Sequence, residues 1–151
     1  MVNAEGRPRK RLLLVEDEVL IALAEKKALE TYRYDVTTVG TGEAAVEAVA
    51  GGIDADLVLM DIDLGPGMDG TQAAARILEL RDLPILFLSS HTEPEIVERT
   101  EKITSYGYVV KFSSITVLDA SIKMAFKLFD ADRKTLESER KQNALIANIS
   151  D

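Results

Sequence analysis

The 151-residue chain contains no cysteine. That absence removes disulfides, thiolate metal sites and cysteine nucleophiles together, and it fits a reducing compartment. Basic clusters are scarce as well: 18 Lys and Arg stand against 26 Asp and Glu, a net charge of −8. Phosphate backbones are bound by clustered Lys and Arg, so direct nucleic-acid binding is not expected. No apolar run approaches membrane-spanning length, and the basic opening Gly6-Arg7-Pro8-Arg9-Lys10-Arg11 lacks the apolar stretch of a signal peptide. The expectation is a cytoplasmic protein without membrane contact. Neither the glycine fingerprint of a dinucleotide-binding fold nor that of a phosphate-binding P-loop follows a strand-like segment.

What is present is one domain's length of chain, 46% apolar, enough to bury a single sizeable core. Two short apolar runs end in acids: Leu12-Leu13-Leu14-Val15 before Glu16-Asp17, and Leu57-Val58-Leu59-Met60 before Asp61. Runs of this length suit strands buried on both faces of a parallel sheet, so their acidic ends meet at one edge. Three carboxylates gathered there repel one another unless a cation sits between them, and hard oxygen donors favour Mg²⁺ or Mn²⁺.

Strand-like and helix-like segments alternate along the whole chain, the pattern of an α/β domain. Strands are predicted at about 11–16, 34–39, 57–61, 85–89 and 107–111. Helices are predicted at 19–31, with Leu20, Leu23, Ala24 and Ala28 as its apolar spacing, at 43–50 with Thr41 as cap, at 70–80, at 95–103 and from Ser114 onward. In that last helix Ile115, Leu118, Ile122, Ala125, Phe126 and Phe129 make a broad apolar stripe suited to packing on a sheet. Beyond Phe129 charge dominates. Residues 1–10 are therefore read as a flexible lead, 11–129 as the domain, and 130–151 as a helical linker. Its ending, Gln142 to Asp151, is similar to the lead-in of a PAS sensor domain, which makes a further domain beyond it an expectation.

Right-handed crossovers and a site at the carboxyl ends of the strands favour a flavodoxin-like, doubly wound five-stranded parallel sheet of order 2-1-3-4-5 with an extended C-terminal helix. On these residues the chain resembles the receiver domain of two-component response regulators. Glu16-Asp17 resembles that family's acidic metal-binding pair and Met60-Asp61 its phospho-accepting aspartate. Ser89 resembles its hydroxyl switch, and Tyr108-Val109-Val110-Lys111 its aromatic switch followed by lysine. The resemblance implies that Asp61 takes a phosphoryl group from a sensor histidine kinase or phosphotransfer protein. Asp17, Asp61, Glu16 through water and the Asp63 backbone carbonyl would hold Mg²⁺, with Mn²⁺ as a substitute. Lys111 and Ser89 would bind phosphoryl oxygens. Asp63 and His91, the single histidine, hold the family's variable positions at the mouth of the site and are candidates for tuning dephosphorylation. Ser89 and Tyr108 would relay the change to the fourth helix, fifth strand and fifth helix, a surface that also offers a homodimer contact, and on to the linker. Such a domain catalyses only its own phosphorylation and dephosphorylation.

The chain also departs from the pattern. Phe112 replaces the proline that usually follows the lysine, where the family often has a cis bond; a cis peptide before Phe112 is costly, so a trans bond and a different loop are expected. Ser90 stands where alanine is usual, and the 65–70 loop is one residue longer than the common pattern. Two other readings stay open: a degenerate receiver that binds partners without phosphorylation, and a haloacid dehalogenase-like phosphohydrolase, which Asp61-Ile62-Asp63 resembles. In that second family the nucleophile lies on the first core strand and the acidic pair far downstream, the reverse of the order here.

Overall fold

The computed structural model of the chain describes residue 2 and residues 6–90, 94–104 and 106–149. Strands β1 (Arg11–Val15), β2 (Asp35–Val39), β3 (Leu57–Asp61), β4 (Ile85–Ser89) and β5 (Tyr108–Val110) alternate with helices α1 (Val19–Thr31), α2 (Gly42–Ala50), α3 (Gly70–Leu80), α4 (Pro94–Ile103) and α5 (Ile115–Ile149). All strands pair in parallel, in the order β2-β1-β3-β4-β5.

Strands β3 and β4 are buried at every position, which is why they read as unbroken apolar runs. Their side chains alternate between two cores. Leu13, Val15, Val58, Met60, Ile85 and Phe87 pack against Ala45 and Val49 of α2 and Ala73, Ala74 and Ile77 of α3. Leu12, Leu14, Leu57, Leu59, Leu86 and Leu88 face the other way, onto Leu29 of α1 and Leu118, Ile122 and Ala125 of α5. Truncating any one of these fully buried leucines to alanine costs about 2–5 kcal/mol.

Ends of elements follow local chemistry. The Thr41 hydroxyl accepts from the Ala44 N–H and caps α2 as predicted. Asp69 and Gln72 form a reciprocal capping box at the start of α3. Tyr34 falls just outside β2, and its buried hydroxyl donates to Asp119 at 2.6 Å, tying that strand's entry to α5. Burial, then the Asp119 carboxylate, raises the Tyr34 pKa.

One expectation is overturned in α1. Leu20 and Leu23, read as its inward face, are 81% and 50% exposed, and Ala24 is exposed too. The inward row is Ala22, Glu25 and Leu29, one step round the helix. Where the β1–α1 loop exits the sheet sets the helix phase, and a small alanine and one leucine suffice for close packing on β1 and β2. The apolar stripe of α5 holds: Leu118, Ile122 and Ala125 are buried and Ile115, Phe126 and Phe129 partly so. This helix continues without a break through the charge-rich segment for 35 residues.

Candidate functional site

Strand register brings the acidic ends together. Val15 pairs with Met60, so Glu16 and Asp61 are the next residues on adjoining strands. Asp61 pairs with Leu88 and Ser89 with Val110, which sets Ser89 and Lys111 one step further along the same edge. Lys111 continues the ladder, its N–H donating to the Ser89 carbonyl at 2.8 Å.

Carboxylate oxygens of Glu16, Asp17 and Asp61 lie within 4.8 Å of one another. Glu16 and Asp61 are buried while Asp17 is exposed at the mouth. The Lys111 ammonium reaches into this cluster, 2.8 Å from Asp61 Oδ2 and 3.2 Å from Glu16 Oε1. Asp61 Oδ1 accepts the Asp63 N–H at 3.2 Å, so both nucleophile-side oxygens are oriented. Ser89 is buried at the end of β4, and Tyr108 is half-buried on β5 beside Phe87. The Asp63 side chain is exposed; His91 lies outside the described residues.

Electrostatics mark the cluster as short of positive charge. Burial, followed by the neighbouring Asp61 carboxylate, pushes Glu16 up to about 8, and the opposing pull of Lys111 does not offset them. Burial would lower Lys111, but its hydrogen bonds to Asp61 and Glu16 win and raise it. Glu16 Oε2 is buried, with the Lys111 ammonium 3.1 Å from it. Three carboxyl groups sharing one ammonium, with no sulfur or imidazole among them, fit a hard divalent cation such as Mg²⁺.

The loop after β3 is held more firmly than its glycines suggest. A Cβ at Gly70 would lie 2.1 Å from the Asp61 carbonyl oxygen and 2.8 Å from Ile62 Cα, so only glycine lets the start of α3 press on the backbone that carries Asp61. Gly70 donates to the Ile62 carbonyl at 2.9 Å. Glu43 accepts the Met68 N–H at 2.7 Å, a bond that holds its carboxyl below the usual range. At Asp69 burial would raise the pKa, but bonds from Thr71, the Gln72 N–H and Arg99 outweigh it and lower it. Arg99 also donates to Thr71 Oγ1 at 2.7 Å, linking α4 to the start of α3. Glu43, Asp69, Gly70 and Arg99 were not singled out from sequence. Asp69 had a readable signal, an acid three residues ahead of Gln72; close approach at Gly70 had none.

Phe112 is in the left-handed region, φ +66°, and no described peptide bond is cis. The Ser113 N–H donates to the Val110 carbonyl at 3.2 Å and closes a turn with the Phe112 ring 75% exposed. The expected different loop is thus a tight turn that turns the ring outward and keeps Lys111 inward.

Residues 12–123 match the family described as response regulator receiver domain. Among curated proteins the chain is 34% identical over 128 residues to the transcriptional regulatory protein PdtaR of Mycobacterium tuberculosis, covering 84% of this chain and 62% of that one. Among solved structures it is similar to the N-terminal domain of a response regulator/sensory box/GGDEF three-domain protein from Carboxydothermus hydrogenoformans, with 46% identity, a TM-score of 0.76 and coverage of 82% and 98%. A second is the signal receiver domain of a modulated diguanylate cyclase from Desulfovibrio desulfuricans G20, with 33% identity, a TM-score of 0.74 and the same coverage of each chain. This chain spans less than two thirds of the length of its curated relative.

Proposed function

The chain belongs to the response regulator receiver family, a signalling domain of two-component systems, and from that premise we propose that Asp61 accepts a phosphoryl group in a Mg²⁺-dependent step. The observation that carries the reading is the meeting of Glu16, Asp17 and Asp61 within 4.8 Å around the Lys111 ammonium.

Bound Mg²⁺ supplies positive charge that lets an anionic carboxylate approach an anionic phosphoryl group. Glu16, Asp17, Asp61 and the Asp63 backbone carbonyl would hold it, and Mn²⁺ suits the same oxygen donors. Asp61 then attacks phosphorus. With phosphohistidine the P–N bond breaks as the P–O bond forms, and the imidazole keeps the bonding pair; with acetyl phosphate, acetate leaves. Lys111 offsets charge on one phosphoryl oxygen and the Ser89 hydroxyl donates to another. Transfer of this kind needs little beyond positioning and charge, because its transition state is loose.

The donor in this reading is a sensor histidine kinase or a phosphotransfer protein. Phosphorylation would shift Ser89 and Tyr108 and bias the surface formed by α4, β5 and α5, which is also a candidate dimer contact. Asp63 and His91 would set how quickly water removes the phosphoryl group. Residues 11–129 act as the receiver and 130–151 as the helical linker, leading to a further sensory domain. The similar domain from a response regulator/sensory box/GGDEF protein supports that order. No described helix is long and apolar enough to cross a membrane, which agrees with a cytoplasmic location.

Incubation with Mg²⁺ and acetyl phosphate, read by intact mass, tests the reading. One added phosphoryl group on the wild type and none on Asp61→Asn is the expected result. No adduct, together with failure to bind beryllofluoride, would move the weight to a phosphorylation-independent binding module. Steady phosphate release from unrelated monoesters would favour a phosphohydrolase.

A further inference from the structure

A groove of about 550 Å³ opens between the segment leading into β1, the turn joining α1 to β2, and α5. Its volume falls within the range of small-molecule sites, about 300–1,000 Å³. Lys10 and Tyr34, which line it, immediately precede β1 and β2, whereas Asp61 ends β3. In an all-parallel sheet the groove and Asp61 therefore lie at opposite ends, a strand's length or about 16 Å apart. Arg7 and Lys10 border it from the lead, Arg33 from the turn, and Lys123 and Lys127 from the helix. Asp130 is the one carboxylate in its lining among the described residues. In a chain where 26 acids outnumber 18 bases, composition does not produce such a gathering.

Local structure holds these groups in place. Lys123, Phe126, Lys127 and Asp130 stand at spacings of three and four and so share one face of α5. The Lys10 carbonyl accepts the Asp35 N–H at 3.0 Å, and the Lys10 ammonium lies 4.9 Å from the centre of the Phe126 ring. The Tyr34 hydroxyl is anchored on Asp119, which also pairs with Lys123 at 2.9 Å. Arg33, at φ +66°, closes the end of α1, its N–H donating to the Glu30 carbonyl at 3.0 Å. Cations set on a fixed frame lose little freedom when a ligand arrives.

Folding of the domain does not account for the charge. Arg33 stands at the carboxyl end of α1, where the helix dipole favours a cation, but α5 runs on past the groove and has no end there. Among the described residues no carboxylate pairs with Lys10, Arg33 or Lys127. Like charges round one concave surface focus a positive potential into it. The chemistry of the lining selects the anion. Arginine offers a planar fork matched to phosphoryl oxygens, and lysine a compact charge suited to the same atoms. Cations from three elements exceed what a single phosphate neutralises, so two or three linked phosphates fit better. Tyr32, 39% exposed, and Phe126 border the same groove and offer ring faces to an attached base. A long nucleic acid would have to cross the rest of the surface, which with these cations gathered here is more negative than the net −8.

We propose that this groove binds a soluble oligophosphate, free or as the phosphate tail of a nucleotide, through Lys10, Arg33, Lys123 and Lys127. The site is separate from Asp61 and does not depend on phosphoryl transfer.

Isothermal titration calorimetry of the whole chain tests this, with sodium tripolyphosphate and ATP as probes, at low ionic strength and in EDTA so that no metal bridges phosphate to Asp61. Binding is expected with a Kd below about 1 mM. Arg33→Gln and Lys127→Gln should each weaken it about tenfold, whereas Lys102→Gln, the same loss of charge on α4, should leave it within about twofold. All three side chains are exposed, so the Tm without ligand should not move. Tripolyphosphate binding as tightly as ATP, or more so, identifies the free oligophosphate. Tighter binding of ATP that Tyr32→Ala weakens identifies the nucleotide. No binding of either probe, indifference to both Arg33→Gln and Lys127→Gln, an equal loss at Lys102, or a short oligonucleotide binding tighter than tripolyphosphate would overturn the proposal. A failed mass shift with acetyl phosphate would leave it standing.

Discussion

The Lys111 ammonium lies 2.8 Å from Asp61 Oδ2, and it is also the cation against the buried Glu16 carboxylate, 3.1 Å from Oε2. One lysine therefore serves acids on two strands. Removing it as Lys111→Met leaves the buried Asp61 carboxylate without its cation and should cost the Mg²⁺-free protein about 3–5 kcal/mol in urea unfolding. Asp61→Asn, which removes one of the crowded negative charges, should instead raise metal-free stability by about 1 kcal/mol. Millimolar Mg²⁺ should raise the wild-type Tm and raise that of Asp61→Asn much less. An equal Mg²⁺ effect on both would place the cation elsewhere.

The raised Glu16 pKa predicts how stability depends on pH. Its folded value, about 8, lies above the ordinary 4.5, so between those limits the native state binds more protons than the unfolded chain. Stability without metal must then fall as pH rises from about 5 to 8. Glu25, raised by burial, contributes in the same direction. Lys111, raised from an already high value, is charged in both states throughout that window and adds no slope. Urea titrations in EDTA at pH 6, 7 and 8 should show the decline, and Glu16→Gln should flatten it to the part owed to Glu25. A wild-type curve that rises with pH would contradict the assignment.

Gly70→Ala is expected to be among the most damaging single-methyl changes in the chain. Its Cβ would meet the Asp61 carbonyl oxygen at 2.1 Å, and neither backbone can yield without moving the site. A loss of about 3 kcal/mol or more, with slower phosphorylation in what remains folded, should follow. Gly52→Ala meets no atom within 4 Å and is strained only by its φ of +85°, so about 1 kcal/mol is expected there. Comparable losses at both glycines would remove the argument from close approach.

Phe112 predicts opposite outcomes for two substitutions. Its φ of +66° suits glycine, so Phe112→Gly should be neutral or stabilising by up to about 1 kcal/mol. Proline is fixed near −65°, so Phe112→Pro, although it matches the commoner receiver pattern, must rebuild the turn beside Lys111. A lower Tm is expected, measurable by calorimetry. A Tm for Phe112→Pro at or above the wild type would show that the turn is not the native one.

Sequence alone determined the alternating elements, the sheet order and the edge at which the acids gather. Apolar runs such as Leu57 to Met60 can be covered on both faces only in a parallel sheet, and short crossovers then leave one register that joins Glu16 to Asp61. Tertiary structure decided what depends on phase and distance. The face of α1 that turns inward was set by where its loop leaves the sheet, so Leu20 and Leu23 face solvent and Glu25 does not. Burial divided the adjacent acids, enclosing Glu16 and leaving Asp17 at the mouth, because successive residues leaving a strand point to different sides. The approach of Gly70 to the Asp61 backbone and the left-handed Phe112 are matters of a few ångströms and one dihedral angle. Such quantities follow from how the elements close on one another, and no local pattern of residues contains them.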